Sequence, residues 1–549
     1  VALMGWYAIR IALSFCGQED FMADFATPPL GRDQLVLFPE KLDDIIASDH
    51  PVRLLDDILD RLDWKAWESA YVLVRGQPPI HPRVIAGVIL YGITRRIRTS
   101  RALEEALTVR TDFRWLAQGR LIDHTTLSRF RTKNNALIKE LFIQIALVAR
   151  NLGYLPLATL GFDGTRMRAS NRRSGSRTPE ELQKAKVELS KKFDELEAKI
   201  AQADKQDDEQ FGDTNDRQLS KELADVSRRR TRVDAALAEI ERLEKADQKV
   251  PARLPTTDPQ SRITPNKDGG FAPNYTPTAT VDVDSGLIVA AGVIANTDED
   301  KHMIEAVKEV MESFSLEQPP KELLADGMMS TGENLAECKA MGVDFYSPIK
   351  LGVASENPAQ RDDLSQPVAS EGIARLPTTT TKHRDGTTTT QFNKNAFVYD
   401  KEKDCYWCPA GKTLPFANKT SETENGRTRI RLRYLADPKA CASCPLKSQC
   451  IGASTKQRMV CHEQHESHRV EHAEKMAQAE SKEKYSRRRH AGERPFATIK
   501  SQFGARGFLT RGLKKVSCEW HWLTSAFNLH RLMSLIAGNA GPPAASPAS

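Results

Sequence analysis

The stretch LATLGFDGTRMRA, Leu157–Ala169, alternates like a β-strand but carries a carboxylate, Asp163, and β-type sequence resumes only near residue 250. Residues 179–247, in between, are polar and rich in Glu, Lys, Ala and Arg. Leu189, Phe193, Leu196 and Ile200 step by helical intervals, as do Leu219, Leu223, Val226, Val233, Leu237 and Ile240. Two such runs around DKQDDEQFGDTND predict a helical hairpin packed as an antiparallel coiled coil, inserted into a sheet-forming region. Asp is a poor strand former, and a buried carboxylate is costly without a partner. Asp163 therefore needs something to face.

Beyond the insertion, TATVDVD and LIVAAGVIA read as two strands joined by Asp284-Ser285-Gly286. A helix, a strand ending ELLAD, another helix and the strand in MGVDFYSPIK follow. Strands 157–170 and 270–350 predict a mixed α/β sheet with early antiparallel strands, flanked by helices.

Residues 50–150 read as helical. VRLLDDILDRLDW has apolar residues at helical spacing, and LIDHTTLSRFRTKN offers Asp123 or Thr125 as a cap. The capped helix would display Arg129, Arg131 and Lys133 to DNA in a helix-turn-helix-like unit. A plain helical bundle with a charged surface is the other reading. The chain's net charge is +6, but Lys484–Arg531 holds 11 Lys/Arg against Glu493 and Glu519. Such a segment suits a polyanion, most simply nucleic acid, or else a solvated helix face.

Three acids stand out by context. Asp163 lies on the first strand, Asp326 ends a strand before Gly327, and Glu493 sits in YSRRRHAGERPFATIKSQFG with Arg489 and Lys500 on its helical face. Carboxylates from separate elements can hold Mg²⁺ or Mn²⁺, and a pair of such ions serves phosphoryl transfer. Taken singly, each has a plainer reading, as a turn residue or a helix salt bridge.

The blocks FDGT (162–165), ADGMMSTGENL (325–335) and GERPFATIKSQFGARGFLTRGLKKVSCEWHWLTSAFNLHRL (492–532) resemble the motif blocks of bacterial insertion-sequence transposases of the DDE type. DHTTLSRFR is similar to part of their N-terminal domain. The resemblance implies an RNase H-like core and a metal-binding triad of Asp163, Asp326 and Glu493. It also implies supporting DNA contacts from Tyr485, Arg489 and Lys500. The Tyr485-to-Arg489 interval is one residue longer than in hairpin-forming relatives, and Arg494 precedes Pro495. The implied activity is cleavage at the terminal inverted repeats of double-stranded DNA, freeing a 3′-OH that attacks the opposite strand or target DNA. A homodimer or larger assembly on DNA is implied too. The alternative is a DNA-binding protein or nuclease derived from a transposase that no longer transposes.

Nine cysteines, six of them between Cys405 and Cys461, are too localised for a secreted disulfide framework. Cys405-x2-Cys408 and Cys441-x2-Cys444 have the form of a structural Zn²⁺ site, with Cys450 as an alternative ligand. An iron–sulfur cluster or unligated thiols remain open. Cys461, His462, His465 and His468 are expected on a helix with a solvated His-rich face. Residues 351–400, with Thr runs at 378–381 and 387–390, read as loop-rich and polar.

The expected organisation is an extension over 1–21, a helical DNA-binding domain over 22–150, and a catalytic core from 151–178, 250–350 and 468–535. The coiled coil occupies 179–249, the Cys-rich module 351–467, and a disordered tail 536–549. No apolar run is long enough to span a membrane, and the cysteine usage fits a cytoplasmic, nucleoid-associated protein.

Overall fold

The computed structural model describes residues 41–71, 79–171, 175–207, 216–266, 269–349, 357–382, 387–424 and 427–538. The expected 1–21 extension and nearly all of the 536–549 tail lie outside these residues. Five strands carry the first two acids: β1 (Thr159–Gly164), β2 (Phe271–Asp282), β3 (Ile288–Ile294), β4 (Glu322–Ala325) and β5 (Asp344–Tyr346). Their order is β3-β2-β1-β4-β5. β1 runs antiparallel to β2, with Phe162 opposite Thr280, and β2 antiparallel to β3. β1 and β4 are parallel, Phe162 pairing with Ala325, as are β4 and β5. A central strand with neighbours on both edges and cover on both faces reads as a nearly unbroken buried run, as Thr159–Phe162 does.

The β2–β3 turn is fixed by a buried acid of a different kind. The Asp282 carboxylate accepts from Ser285 N and Oγ, both at 2.7 Å, and from Leu157 N at 3.0 Å. Gly286 takes φ +73°, a conformation that glycine adopts without steric cost.

The helices that precede the sheet include α1 (Pro51–Asp60), α2 (Pro82–Thr94), α3 (Ser100–Val109), α4 (Thr111–Leu116), α5 (His124–Lys133) and α6 (Asn135–Asn151). Asp123 caps α5, accepting from Thr125 N at 2.9 Å and Thr126 N at 3.0 Å. Two long helices, α7 (Pro179–Asp207) and α8 (Asp216–Lys245), follow β1. Lys186 pairs with Asp234 and Lys192 with Glu222, so the two run antiparallel. Leu182, Val233, Ala236, Leu237 and Ile240 form their buried seam.

Later helices include α9 (Met303–Ser313), α10 (Gly332–Met341), α11 (Glu466–Ala477), α12 (Ala479–Ser486), α13 (Arg488–Ala497) and α14 (Leu513–Ala537). α14 joins the helical region to the sheet. Trp520 Nε1 donates to Thr278 O on β2, the Asn528 side chain bonds both Ile288 N and O on β3, and Trp522 Nε1 donates to Arg131 O on α5. Its buried indoles explain how this motif-rich part of the sequence also contributes to the core.

A second sheet holds β6 (Val398–Asp400), β7 (Cys405–Trp407), β8 (Thr413–Glu424), β9 (Arg427–Leu435) and β10 (Met459–Glu463), in chain order and antiparallel. Its core includes Tyr406, Leu414, Tyr434 and Val460. Two expectations are corrected here. Cys461 and His462 are on strand β10, not a helix, and His462 is buried with Nδ1 at 3.0 Å from Tyr406 Oη. The Thr runs are not loop: Thr378–Lys382 and Thr388–Phe392 pair antiparallel, as stiff β-branched residues favour. Among the described residues no helix is long and apolar enough to cross a membrane.

Candidate active site

Strand register brings the first two acids together. Phe162 and Ala325 are partners across the parallel β1–β4 pair, and Asp163 and Asp326 are the next residues on each strand. The site therefore lies at the carboxyl ends of adjacent parallel strands, where ligands of α/β sheets are commonly bound. Arg488, at the start of α13, reaches both: its Nη2 is 3.2 Å from Asp163 Oδ1 and 3.7 Å from Asp326 Oδ2. Arg488 also hydrogen-bonds Tyr485, and its Nε is buried without a partner among the described residues.

The Asp163 carboxyl is pushed up by burial, opposed by Arg488 and by the Gly164 amide at 2.9 Å, and pushed further by Asp326. A fourth acid, which the sequence did not single out, adds to this. Glu299 follows β3, and a Cβ on Gly164 would overlap its carboxylate. Burial, then Asp163 and Asp326, push the Glu299 carboxyl up to about 7 against the pull of Arg166. Three acids crowd one pocket with too little positive charge, a setting that favours a cation or a retained proton.

Glu493 reaches the same place by its backbone. Gly492 lies so close to β1 that a Cβ there would stand 2.8 Å from Asp163 Oδ2. The Glu493 side chain is 69% exposed and faces Arg489, whose Nε is 3.9 Å away and which is 82% exposed. Arg488, rather than Arg489, is the arginine between the aspartates, and the shorter Tyr-to-Arg interval was the signal for it. Lys500 lies on a π-helical turn, Thr498–Gln502, and donates to Thr165 Oγ1 and to Arg166 O, directly after the strand that bears Asp163. Arg96 and Arg98 hold that turn from the helical region, donating to the carbonyls of Ser501, Gln502, Gly504 and Gly507.

On α5, Arg129 and Lys133 are exposed. Arg131 is corrected as a member of the open face. Its Nη1 donates to the Arg98 carbonyl, and burial lowers its pKa while Glu519 supports its charge. An open groove lined by Ser100, Arg101, His124, Ser128 and Arg129 lies beside the exposed side of the helix.

Cys408, Cys441, Cys444 and Cys450 line one cavity of about 310 Å³, whereas Cys405 is buried on β7. Among the described residues, no three His, Cys, Asp or Glu side chains stand in ready-made metal-binding geometry.

Comparison with known families accords with this arrangement. Residues 407–533 match the family described as Transposase DDE domain, and residues 40–133 match Transposase domain (DUF772). Both matches are to transposase domains, and together they indicate an insertion-sequence transposase of the DDE type. That family acts on DNA and generally uses divalent metal ions. The first match includes Glu493 and the cysteines from Cys408 to Cys461, the second includes α5, and Asp163, Asp326 and Cys405 lie outside both. No curated protein matches the chain.

Proposed function

We propose that this chain is an active transposase that cleaves at the terminal inverted repeats of its own element and joins the freed 3′-OH to target DNA. Its core is RNase H-like, a reading supported by the order β3-β2-β1-β4-β5 with antiparallel strands on one side of β1 and parallel strands on the other. Asp163, Asp326 and Glu493 are the residues that would hold two Mg²⁺ or Mn²⁺ ions. The observation that carries this is the β1–β4 register, which makes Asp163 and Asp326 neighbours.

The donor set fits a hard cation. All its members are carboxylates, and Arg488 lies between the aspartates as a cation would. Glu493 follows Gly492, which abuts Asp163, and release from Arg489 would free its side chain to turn inward. Bound divalent ions would supply Lewis acidity to the scissile phosphodiester and lower the pKa of the attacking hydroxyl.

The chain's own residues do the rest. Arg488, oriented by Tyr485, and Lys500, anchored at Thr165, neutralise phosphate oxygens on either side of β1. Arg129 and Lys133 bind the repeat through α5. A homodimer on paired ends fits the family.

The test is cleavage and strand transfer on end DNA. Asp163→Asn, Asp326→Asn and Glu493→Gln should each abolish both, with gel-shift affinity unchanged within about threefold. Full activity in any one removes that residue from the site. Cleavage without strand transfer in the wild type would indicate a nuclease instead.

A further inference from the structure

We propose that Cys408, Cys441, Cys444 and Cys450 bind one structural Zn²⁺, which pins the segment Asp437–Ile451 to the β6–β10 sheet. The set differs from the pair of Cys-x2-Cys motifs read from the sequence: Cys450 replaces Cys405. The charged and titratable neighbours show why. Cys405 faces Asp400, Lys403 and Asp404, while Cys450 faces Arg458 and the sulfurs of Cys408, Cys441 and Cys444. Cys408 in turn faces Cys444 and Cys441.

Each sulfur sits on a turn that a metal site can use. Cys408 N donates to Lys412 O and Gly411 N to Cys408 O, both at 2.9 Å, and Lys412 N points at Cys408 Sγ from 3.3 Å. An amide aimed at sulfur stabilises thiolate, the form that binds metal. Gly411 has φ +74°, and a Cβ there would strike the Ser365 carbonyl, so the turn admits glycine alone. Cys441 and Cys444 flank the end of a short helix, Pro438–Ala442, that Asp437 caps at 3.0 Å. Cys450 ends the next one, Lys447–Cys450.

Two arginines hold the ligand-bearing turns from behind. Arg361 Nη2 donates to Cys408 O at 3.0 Å, and Arg458 Nη1 donates to Cys450 O at 2.7 Å. A zinc tetrathiolate carries two negative charges, and Arg458, which also lines the cavity, would offset part of them. Such outer partners orient and tune metal ligands. The segment otherwise packs on the sheet through little more than Leu446, Ile451 and the cysteines themselves. Short helices with so small a core need a staple, and a closed four-ligand zinc site is one. All four cysteines are free of disulfides. They line a common cavity as separate thiols, and binding requires the side chains to turn onto one ion.

The full-length chain, purified in reductant without chelator, should contain about one zinc per chain. Mercurial titration of four thiols should release it. Cys408→Ser, Cys441→Ser, Cys444→Ser and Cys450→Ser should each lower bound zinc at least tenfold, while Cys405→Ser and Cys461→Ser retain it. Should the serine variants fail to fold, Co²⁺ replacement in the wild type decides the matter: tetrahedral d–d bands with four-thiolate charge transfer are expected. Zinc-free protein with four reactive thiols and no cobalt–thiolate absorption would overturn the proposal. So would an iron–sulfur chromophore, or zinc lost from Cys405→Ser and kept in Cys450→Ser.

Discussion

Gly492 stands directly against Asp163, leaving 2.8 Å between the position of a Cβ and the Asp163 Oδ2 atom. This contact docks the helix bearing Glu493 onto the strand bearing the first acid. Gly492→Ala would press on the Asp163 side chain, with its Cβ and Cγ also near at 3.4 Å, rather than on backbone. The site should yield before the fold does. The expected result is at least a tenfold loss of cleavage with a melting temperature within a few degrees of wild type, read by end-cleavage assay and calorimetry.

Arg488 and Arg489 are adjacent but face differently, one between two aspartates and the other toward solvent. Arg488→Ala should cost about ten- to a hundredfold in cleavage, the range for a charge-assisted contact of about 1.5–3 kcal/mol. Arg489→Ala, which breaks only an exposed pair, should change cleavage less than about threefold. The reverse order in single-turnover assays would return the role to Arg489.

Arg129 and Arg131 separate binding from stability. Arg129→Ala should weaken binding to terminal repeats and lower the salt slope by about one phosphate contact, with no thermal shift. Arg131→Ala removes the bond to the Arg98 carbonyl and a buried positive charge near Glu519, whose direct ion pair is with Arg98. It should lower the melting temperature, and an unchanged melting curve would contradict the inward placement.

His521 sets a pH dependence. Burial pushes its imidazole down to about 4 from 6.5, opposed by its contact with Ala291 O at 3.1 Å and aided by Lys139. The unfolded chain takes up the proton first, so this contribution is complete above pH 6.5 and is lost as pH falls toward 4. The loss is about 3 kcal/mol at the lower end, from roughly 1.4 kcal/mol per unit. His521→Gln should flatten the fall in stability over that window, measured by urea unfolding. Parallel curves for the two proteins would show that His521 does not titrate this way.

The two aspartates that the register brings together stood out by context, a carboxylate inside a strand and an Asp at a strand end. Glu299 did not, because NTDEDKH reads as an ordinary acidic helix start and only the return of β3 brings it to Gly164. Arg488 was hidden in a run of three arginines whose helical phase the sequence does not fix. The symmetry of the two Cys-x2-Cys motifs favoured Cys405, which lies on β7, whereas Cys450 lines the cavity with the other three. The helical hairpin followed from its seam of apolar residues, whereas the Thr runs were misjudged because polar β-branched residues suit strands and loops alike.

The most direct test of the proposed metal site is an anomalous diffraction map of the protein with end DNA and Mn²⁺. Manganese between Asp163 and Asp326, with Glu493 turned in and Arg488 moved off the carboxylates, is the predicted result. An Arg488 still bridging both aspartates, with manganese elsewhere or absent at an end DNA that the protein cleaves, would contradict it.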